Sequence, residues 1–170
     1  LANIYMHLVD KLVNNTENIF YKSGIEIVRY ADDFVLMGKA ITEKAMEKLR
    51  SILTRMGLTL NEQKTRKIQA KETSFNFLGF TIRYDRNKFG LKNKYWNIVP
   101  SDKSENKIRE KLKEFLRHSG HFNPKEVAKG LNTILRGWLN YFDIPKVSYP
   151  SVCKEAIRYY LTESLYRYYN

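Results

Sequence analysis

Two adjacent aspartates, Asp32 and Asp33, stand within a stretch rich in β-branched and aromatic residues. Such residues favour strands, so 25–37 predicts two strands that meet at a tight turn carrying the acidic pair. Neighbouring carboxylates repel each other and resist transfer out of water. A bare Asp-Asp pair is most often a solvated turn, but the apolar residues close around this one favour a bound divalent cation. Magnesium binds a few carboxylates together with water and phosphate oxygens, which suits phosphoryl or nucleotidyl transfer.

Helices and a further strand are expected on both sides of this hairpin. The spacing of apolar residues predicts a helix over 1–13. Thr42 is the expected N-cap of a second helix, and Gly57 is expected to end it. Residues 58–60 alternate in the way of a short strand.

The rest of the chain changes from strand to helical periodicity near residue 100. A hairpin interrupted at Gly79 is expected over 74–84, followed by an extended stretch over 89–99. Three helices are expected after that, and they begin at Asp102, at Asn123-Pro124 and at Val152.

The composition favours a nucleic-acid partner. The chain has 170 residues with 30 basic and 18 acidic side chains, a formal net charge of +12. Basic groups neutralise phosphates and aromatic rings stack on bases; the alternative is a solvated basic face. No apolar run is long enough for a membrane span, and one cysteine, Cys153, excludes a disulfide framework. With no secretion signal at the start, we expect an intracellular protein without a membrane partner.

Four motifs, in this order, resemble those of group II intron-encoded reverse transcriptases and maturases. The stretch 30–33, YADD, resembles the catalytic hairpin of reverse transcriptases. The stretch 61–65, NEQKT, with the helix before it, looks like the element that follows that hairpin. The stretch 77–80, FLGF, looks like the primer-grip hairpin, and 135–142, LRGWLNYF, is similar to the signature helix of the maturase-specific thumb.

The resemblance implies an α+β fold. A partial polymerase palm of antiparallel hairpins with helices, residues 1–92 including the primer grip, would precede a linker at 93–100. An all-α three-helix thumb or maturase-specific domain would occupy 101–170. The fingers and the first catalytic strand would lie before Leu1.

The resemblance also implies roles for the polymerase residues. Asp32 would be the primary Mg²⁺ ligand and Asp33 its partner, in a two-metal site completed by an upstream carboxylate absent from this chain. The chain alone is therefore expected to be inactive. Lys64 would protonate the leaving pyrophosphate, with a solvated lysine as the open alternative. The primer grip, which would set the primer terminus against the metals, consists of Phe77, Leu78, Gly79 and Phe80.

Nucleic-acid contacts are expected on both halves of the chain. Lys103, Lys107 and Lys111 form a row opposite the Ile108/Leu112 stripe, and such a row can lie along a phosphate backbone. The open alternative is a solvated helix face on which the lysines have acidic partners. The expected contact residues are Arg66, Lys67, Lys103, Lys107, Lys111, Arg136 and Asn140.

The function implied is RNA-directed DNA polymerisation together with a maturase role in intron splicing and mobility. Its partners would be intron RNA, template RNA, a DNA primer and dNTPs, in a bacterial or organellar setting. A splicing-only maturase with a non-functional polymerase is the alternative. Self-association through exposed apolar surface is expected of such a fragment.

Overall fold

The computed structural model describes residues 2–86 and 93–170, and the chain divides into two compact units after Lys67. Within the described residues, the first unit contains one antiparallel hairpin and three helices. Their bounds are α1 Ala2–Val13, α2 Ile19–Lys22, β1 Glu26–Tyr30, β2 Asp33–Met37 and α3 Glu43–Arg55.

The core of the first unit is formed by the apolar faces of these elements. Val9, Val13 and Leu49 are almost completely buried there, because residues three or four apart fall on one side of a helix. The Thr42 side chain accepts a hydrogen bond from the N–H of Ala45, which confirms the predicted N-cap of α3.

The strand predicted over residues 58–60 is wrong. Leu58 and Leu60 are half-buried against the core of the first unit, and the stretch pairs with no strand among the described residues. The alternating apolar side chains of this stretch are thus buried by contact with the core, without any strand pairing. A strand also needs a neighbour that pairs with its backbone N–H and C=O groups, and the local pattern does not specify one.

The second unit contains a three-stranded antiparallel sheet and three long helices within the described residues. The strands are hydrogen-bonded in chain order, β3–β4–β5. The mixture of hairpins and helices, with an all-helical C-terminal region, confirms the predicted α+β class. The bounds are β3 Phe75–Phe77, β4 Phe80–Arg86, β5 Lys94–Pro100, α4 Asp102–His118, α5 Pro124–Phe142 and α6 Ser151–Tyr169.

Local side chains set the starts of α4 and α5. Ser101 caps α4 through its hydroxyl, while Asn123 and Glu126 form a reciprocal capping box at α5. Pro124 lies in the first turn of α5, where its missing N–H costs no intrahelical hydrogen bond. These two predicted starts are confirmed, and α6 begins one residue earlier than predicted, at Ser151.

The stretch 93–100, expected to be a linker, is mostly strand β5. It pairs with β4 over seven residues, from Phe80 opposite Pro100 to Arg86 opposite Lys94. The predicted boundary at residue 92 and the extension expected over 89–92 lie outside the described residues. Because of this pairing, the sheet and the three helices belong to one compact unit, Ile68–Asn170.

Two glycines in α5, one heptad apart, have very different surroundings. A Cβ built on Gly130 would overlap the Phe115 ring, so this glycine lets α4 and α5 approach closely. A Cβ on Gly137 would meet nothing within 4 Å among the described residues. Only the first glycine therefore has a reason in the packing of the helices.

We expect Gly137→Ala to raise the free energy of unfolding by about 1 kcal/mol, because alanine is the better helix former. Gly130→Ala gains the same propensity but must displace the Phe115 ring. Its free energy of unfolding should therefore be about 1–3 kcal/mol below that of Gly137→Ala. Urea unfolding followed by circular dichroism measures both, and equal stability of the two variants would contradict the packing described for Gly130.

Candidate functional site

The acidic pair lies at the tip of the β1–β2 hairpin. Tyr30 pairs with Asp33, so Ala31 and Asp32 form a two-residue loop. Ala31 has a φ of 55°, in the left-handed region that alanine rarely adopts. Both aspartates are exposed. The hairpin thus presents one carboxylate from its loop and the next from the first residue of β2.

The apolar neighbours of the aspartates do not enclose them. Ile27, Phe34 and Leu36 pack on the core of the first unit, whereas Tyr30, opposite Asp33, is 65% exposed. Side chains alternate across a strand, so the apolar residues can be buried while the tip stays in water. The desolvation cost expected from the sequence is therefore absent, and the case for a cation depends on the donor atoms.

Arg29, on the buried side of the hairpin, holds the tip in place through hydrogen bonds. Its Nη2 donates to Asp10 on α1 at 2.7 Å, and its Nε is 2.9 Å from the other carboxylate oxygen. Its Nη1 donates to the Ala31 carbonyl oxygen at 2.7 Å. One guanidinium therefore fixes both the angle of the hairpin against α1 and the backbone of the loop that carries Asp32.

The same ion pair shifts the titration of both partners. The hydrogen bonds from Arg29 hold the pKa of the Asp10 carboxyl below its usual range, and Asp10 raises the pKa of Arg29. The Asp10 side chain is 24% exposed and the Arg29 side chain is 12% exposed, so solvent screens this ion pair less than a pair on the surface. Neither Asp10 nor Arg29 is among the site residues predicted from the sequence. The sign in the sequence that could have pointed to this pair is Arg29, a charged residue at an inward-facing position of β1.

The donor set at the tip suits magnesium in part. Mg²⁺ is commonly held by one or two carboxylates and completes its coordination with water and phosphate oxygens. Asp32 and Asp33 supply two adjacent, solvent-accessible carboxylates. In the described part of the chain, no group of three or more His, Cys, Asp or Glu side chains is arranged to hold a metal.

The predicted basic residues after α3 are exposed and follow an ordered turn. Asn61 organises this turn, since its backbone oxygen accepts from the Thr65 N–H and its side chain accepts from the Lys64 N–H. The Lys64 and Arg66 side chains extend into solvent, and the Lys67 ammonium lies 3.6 Å from a Glu43 oxygen. Within the described residues, no hydrogen bond or ion pair joins Lys64 to the acidic tip.

The FLGF stretch is a hairpin turn anchored on the helices of the second unit. Leu78 and Gly79 both have positive φ, 50° and 80°, the pattern of a type I′ turn. The Tyr141 hydroxyl donates to the Leu78 carbonyl at 2.9 Å, and the Ser104 hydroxyl donates to the Gly79 carbonyl at 2.8 Å. A Cβ at Gly79 would lie 3.0 Å from that hydroxyl. Glycine is therefore needed for both the backbone angle and the close approach.

The phenylalanines of this turn are packed rather than free. Phe80 is buried with its ring 4.9 Å from Phe142 and 5.8 Å from Tyr141, and Phe77 is half-buried. The atoms that this turn could offer to a ligand are therefore those of its backbone and of Leu78, which is half-buried.

The predicted contact residues of the helices are all exposed. Lys103, Lys107 and Lys111 lie along α4, and among the described residues none has a carboxylate within ion-pair distance. Arg136 and Asn140 lie one turn apart on α5, on the side away from its buried residues.

Cys153 is not a nucleophile in this fold. It is buried, and that burial, with Glu105 nearby, raises the pKa of its thiol to about 12. The thiolate needed for nucleophilic or redox chemistry is therefore scarce at neutral pH.

Comparison with known families gives these features a context. The family model for reverse transcriptase (RNA-dependent DNA polymerase) matches residues 1–82, which include the acidic hairpin and the FLGF turn. These residues place the chain among the reverse transcriptases, a class of nucleotidyltransferases. A second model, group II intron, maturase-specific domain, matches residues 105–170, from within α4 to the end of α6.

The two matches together identify the family. The chain belongs to the reverse transcriptase/maturase family of group II introns, which confirms the resemblance found in the sequence. A search of curated proteins finds no match to the chain. None of the described helices is both long enough and apolar enough to cross a bilayer.

The ion pair beneath the acidic tip gives a pH prediction. Because Arg29 keeps the folded pKa of Asp10 below the usual range of an aspartate carboxyl, the pair stabilises the fold fully above about pH 4. That stabilisation is lost as the pH falls through the lowered pKa. Asp10→Asn should be less stable than the wild type at pH 7 by about 1–3 kcal/mol, and the difference should shrink on acidification.

Thermal unfolding at a series of pH values measures this difference. Glu17→Gln is the matched control, since the Glu17 carboxylate is 85% exposed and lies 3.7 Å from the Lys22 ammonium. The control should follow the wild type at every pH. A difference between wild type and Asp10→Asn that grows on acidification would contradict the assignment.

Proposed function

We propose that this chain is part of an RNA-directed DNA polymerase of the group II intron type that also assists intron RNA splicing and mobility. The observation that carries the proposal is the tip of the β1–β2 hairpin, where Asp32 and Asp33 are exposed together on a loop held by Arg29. Family membership supports the same activity.

Asp32 and Asp33 would hold Mg²⁺, with a third carboxylate contributed from outside residues 1–170. When bound, the two-metal site would supply charge stabilisation for the attack of a primer 3′-hydroxyl on a dNTP. The chain's own contribution is orientation. Arg29 fixes the Ala31 carbonyl and so limits the positions that the Asp32 carboxylate can take.

The FLGF turn would hold the primer end. Its backbone is restrained by Tyr141 and Ser104, so the turn can support a primer strand without side-chain rearrangement. Lys64 would donate a proton to the leaving pyrophosphate, for which its exposed ammonium is available. Arg66 and Lys67 would contact the phosphates of the bound nucleic acid.

The exposed lysines of α4 and the outer side of α5 would bind RNA through its phosphates. This is the role that the second family match supports, and it is shared with the alternative function, a splicing-only maturase with a non-functional polymerase. The intact acidic pair favours the polymerase, since adjacent carboxylates on a loop held by Arg29 are donors of the type that Mg²⁺ prefers, whereas RNA phosphates are bound by cationic groups.

Primer extension on an RNA template with dNTPs and Mg²⁺ tests the polymerase. The reference sample is the chain joined to the preceding part of its natural protein. We expect this joined protein to extend the primer, and residues 1–170 alone to be inactive. Asp32→Asn should lower the rate on the order of 1,000-fold, because a metal ligand contributes several kcal/mol to the transition state.

Glu26→Gln is the matched control for that variant. It removes a carboxylate from the same hairpin, at the end of β1 farthest from the loop. Its rate should equal that of the wild type. An unaffected Asp32→Asn enzyme would refute the catalytic assignment, and an inactive joined protein that still binds RNA would support the splicing-only function.

Metal binding can be followed without activity. Mn²⁺ added to the 170-residue chain should broaden the NMR signals of residues 31–34 more than those of residues around Glu26. Asp32→Asn together with Asp33→Asn should abolish that selective broadening. Uniform broadening in the unchanged chain would show that the tip holds no metal by itself.

A further inference from the structure

The end of the β3–β4–β5 sheet farthest from the FLGF turn carries two aromatic rings side by side. Tyr84 of β4 lies opposite Trp96 of β5, and their ring centroids are 5.1 Å apart. Because side chains alternate along a strand, these rings share one side of the sheet with Phe80, about 13 Å nearer the turn. Phe80 is buried against Phe142, whereas Trp96 is 43% exposed. We call Tyr84 and Trp96 the aromatic platform.

Two ammonium groups lie beside the aromatic platform. Lys71, from the turn before β3, and Lys94, the first residue of β5, each place Nζ 5.9 Å from the centre of the Tyr84 ring. Both lysines are exposed. The sheet thus presents an open aromatic surface and positive charge at the same place.

Two carboxylates are next to these residues in the sequence, and neither neutralises the lysines. Asp85 forms an ion pair with Arg83 at 2.5 Å. Glu72 follows Lys71 in the chain, and among the described residues it lies beyond ion-pair distance of any lysine or arginine. The ammonium groups of Lys71 and Lys94 therefore remain available to an anionic ligand.

We propose that the aromatic platform, with Lys71 and Lys94 beside it, binds an unpaired segment of RNA. A base would stack on the open face of the Trp96 ring, and the two ammonium groups would bind neighbouring phosphates. Every base has a flat face that can stack on an aromatic ring, so the site would tolerate different sequences. The proposal rests on the RNA-binding part of the proposed function and adds a site to it.

The platform differs from the other proposed RNA contacts in place and in chemistry. Tyr84, Lys94 and Trp96 lie in the stretch between residues 82 and 105, which neither family model matches. Phosphate contacts alone do not distinguish a duplex from a single strand, whereas a stacking ring needs a base that is not already stacked in a helix. The platform therefore supplies a preference for unpaired RNA that a row of cations does not.

Tryptophan fluorescence reports directly on the platform. The chain has two tryptophans, and Trp138→Phe leaves Trp96 as the single emitter. The Trp138 Nε1 is buried and has no hydrogen-bond partner among the described residues, so its removal breaks no hydrogen bond. An eight-nucleotide oligouridylate titrated into this variant should quench the Trp96 emission, because a base would stack on the indole. A complex that forms without quenching would overturn the proposal.

Affinity is measured by the anisotropy of a fluorescein-labelled oligouridylate titrated with the 170-residue chain. Trp96→Leu should raise Kd on the order of tenfold, because one stacked base is lost, and Trp96→Phe should raise it less. Tyr159→Leu is the control, since it removes a ring that is 72% exposed on α6. Its Kd should equal that of the wild type. Equal weakening by Trp96→Leu and Tyr159→Leu would overturn the proposal.

Lys94→Gln tests the charge without removing a ring, so it stands even where Trp96→Leu fails to fold. It should reduce the slope of log Kd against log salt by about 0.7, the value for one phosphate contact on a single strand. Lys48→Gln removes an exposed charge from α3 in the first unit and should leave the slope unchanged. Equal slopes for Lys94→Gln and Lys48→Gln would contradict the phosphate contact.

A DNA strand is the other occupant that the same titration examines. An oligodeoxyuridylate of equal length should bind no more tightly than the RNA strand, since stacking does not depend on the sugar. Tighter binding of the DNA strand that is lost in Trp96→Leu would assign the platform to DNA and overturn its assignment to RNA.

A 20-base-pair RNA duplex separates this proposal from the proposed function. Trp96→Leu should bind the duplex as tightly as the wild type does, while its binding of the oligouridylate is weakened. If the wild type binds the duplex but not the single strand, the platform is overturned while RNA binding by the protein stands. If it binds neither, both the proposal and the RNA-binding part of the proposed function fail. The polymerase is judged separately, by primer extension.

Discussion

The pair formed by Arg29 and Asp10 determines the geometry of the acidic hairpin. A guanidinium that is 12% exposed must find acceptors for its N–H groups, and it finds them on α1 and on the loop carbonyl of Ala31. These bonds tie the hairpin to a helix 19 residues away in sequence. They also hold the loop at a backbone angle that alanine rarely adopts, so the aspartates are presented on a backbone that is already ordered.

The second unit uses its helices in a comparable way to order a turn. Tyr141 and Ser104, from α5 and α4, donate to successive carbonyl groups of the FLGF turn. Phe80 then packs against Phe142, which joins the sheet to the end of α5. A turn held by hydrogen bonds from two helices keeps its backbone groups in one arrangement, as the proposed support of a primer strand would require. The helices therefore position the turn while their outer sides remain available for RNA.

Polar and apolar surfaces are divided along α5 with little overlap. Its inner side builds the core with α4 and α6, including the contact between Gly130 and Phe115. Its outer side has three cations and one carboxylate, and that carboxylate belongs to the cap. Because the packed side and the charged side of α5 are separate, residues on the charged side can be substituted without altering the core. The two glycines lie on the same side of α5, one heptad apart, and differ in what they meet: Gly130 faces the Phe115 ring, whereas a Cβ on Gly137 would meet open space among the described residues.

Features that depend on neighbouring residues could be predicted from the amino-acid sequence alone. Thr42, Ser101 and Asn123 cap helices through bonds that span three residues, and the apolar periodicity around them specifies which side is buried. The hairpin at 26–37 follows from strand-forming residues on both sides of a short turn. Family membership was also readable, because four short motifs occur in order.

Contacts between residues far apart in the sequence could be identified only in the folded chain. Leu58 looks like part of a strand but only packs on a core, and the stretch after residue 92 looks like a linker but supplies β5. The exposure of Asp32, the brace from Arg29 and the contrast between Gly130 and Gly137 depend on contacts between separate elements. A short stretch of sequence contains all the residues that form a turn or a helix cap, so it indicates whether that turn or cap is favourable. Pairing and packing between elements depend on partners that no short stretch of sequence specifies.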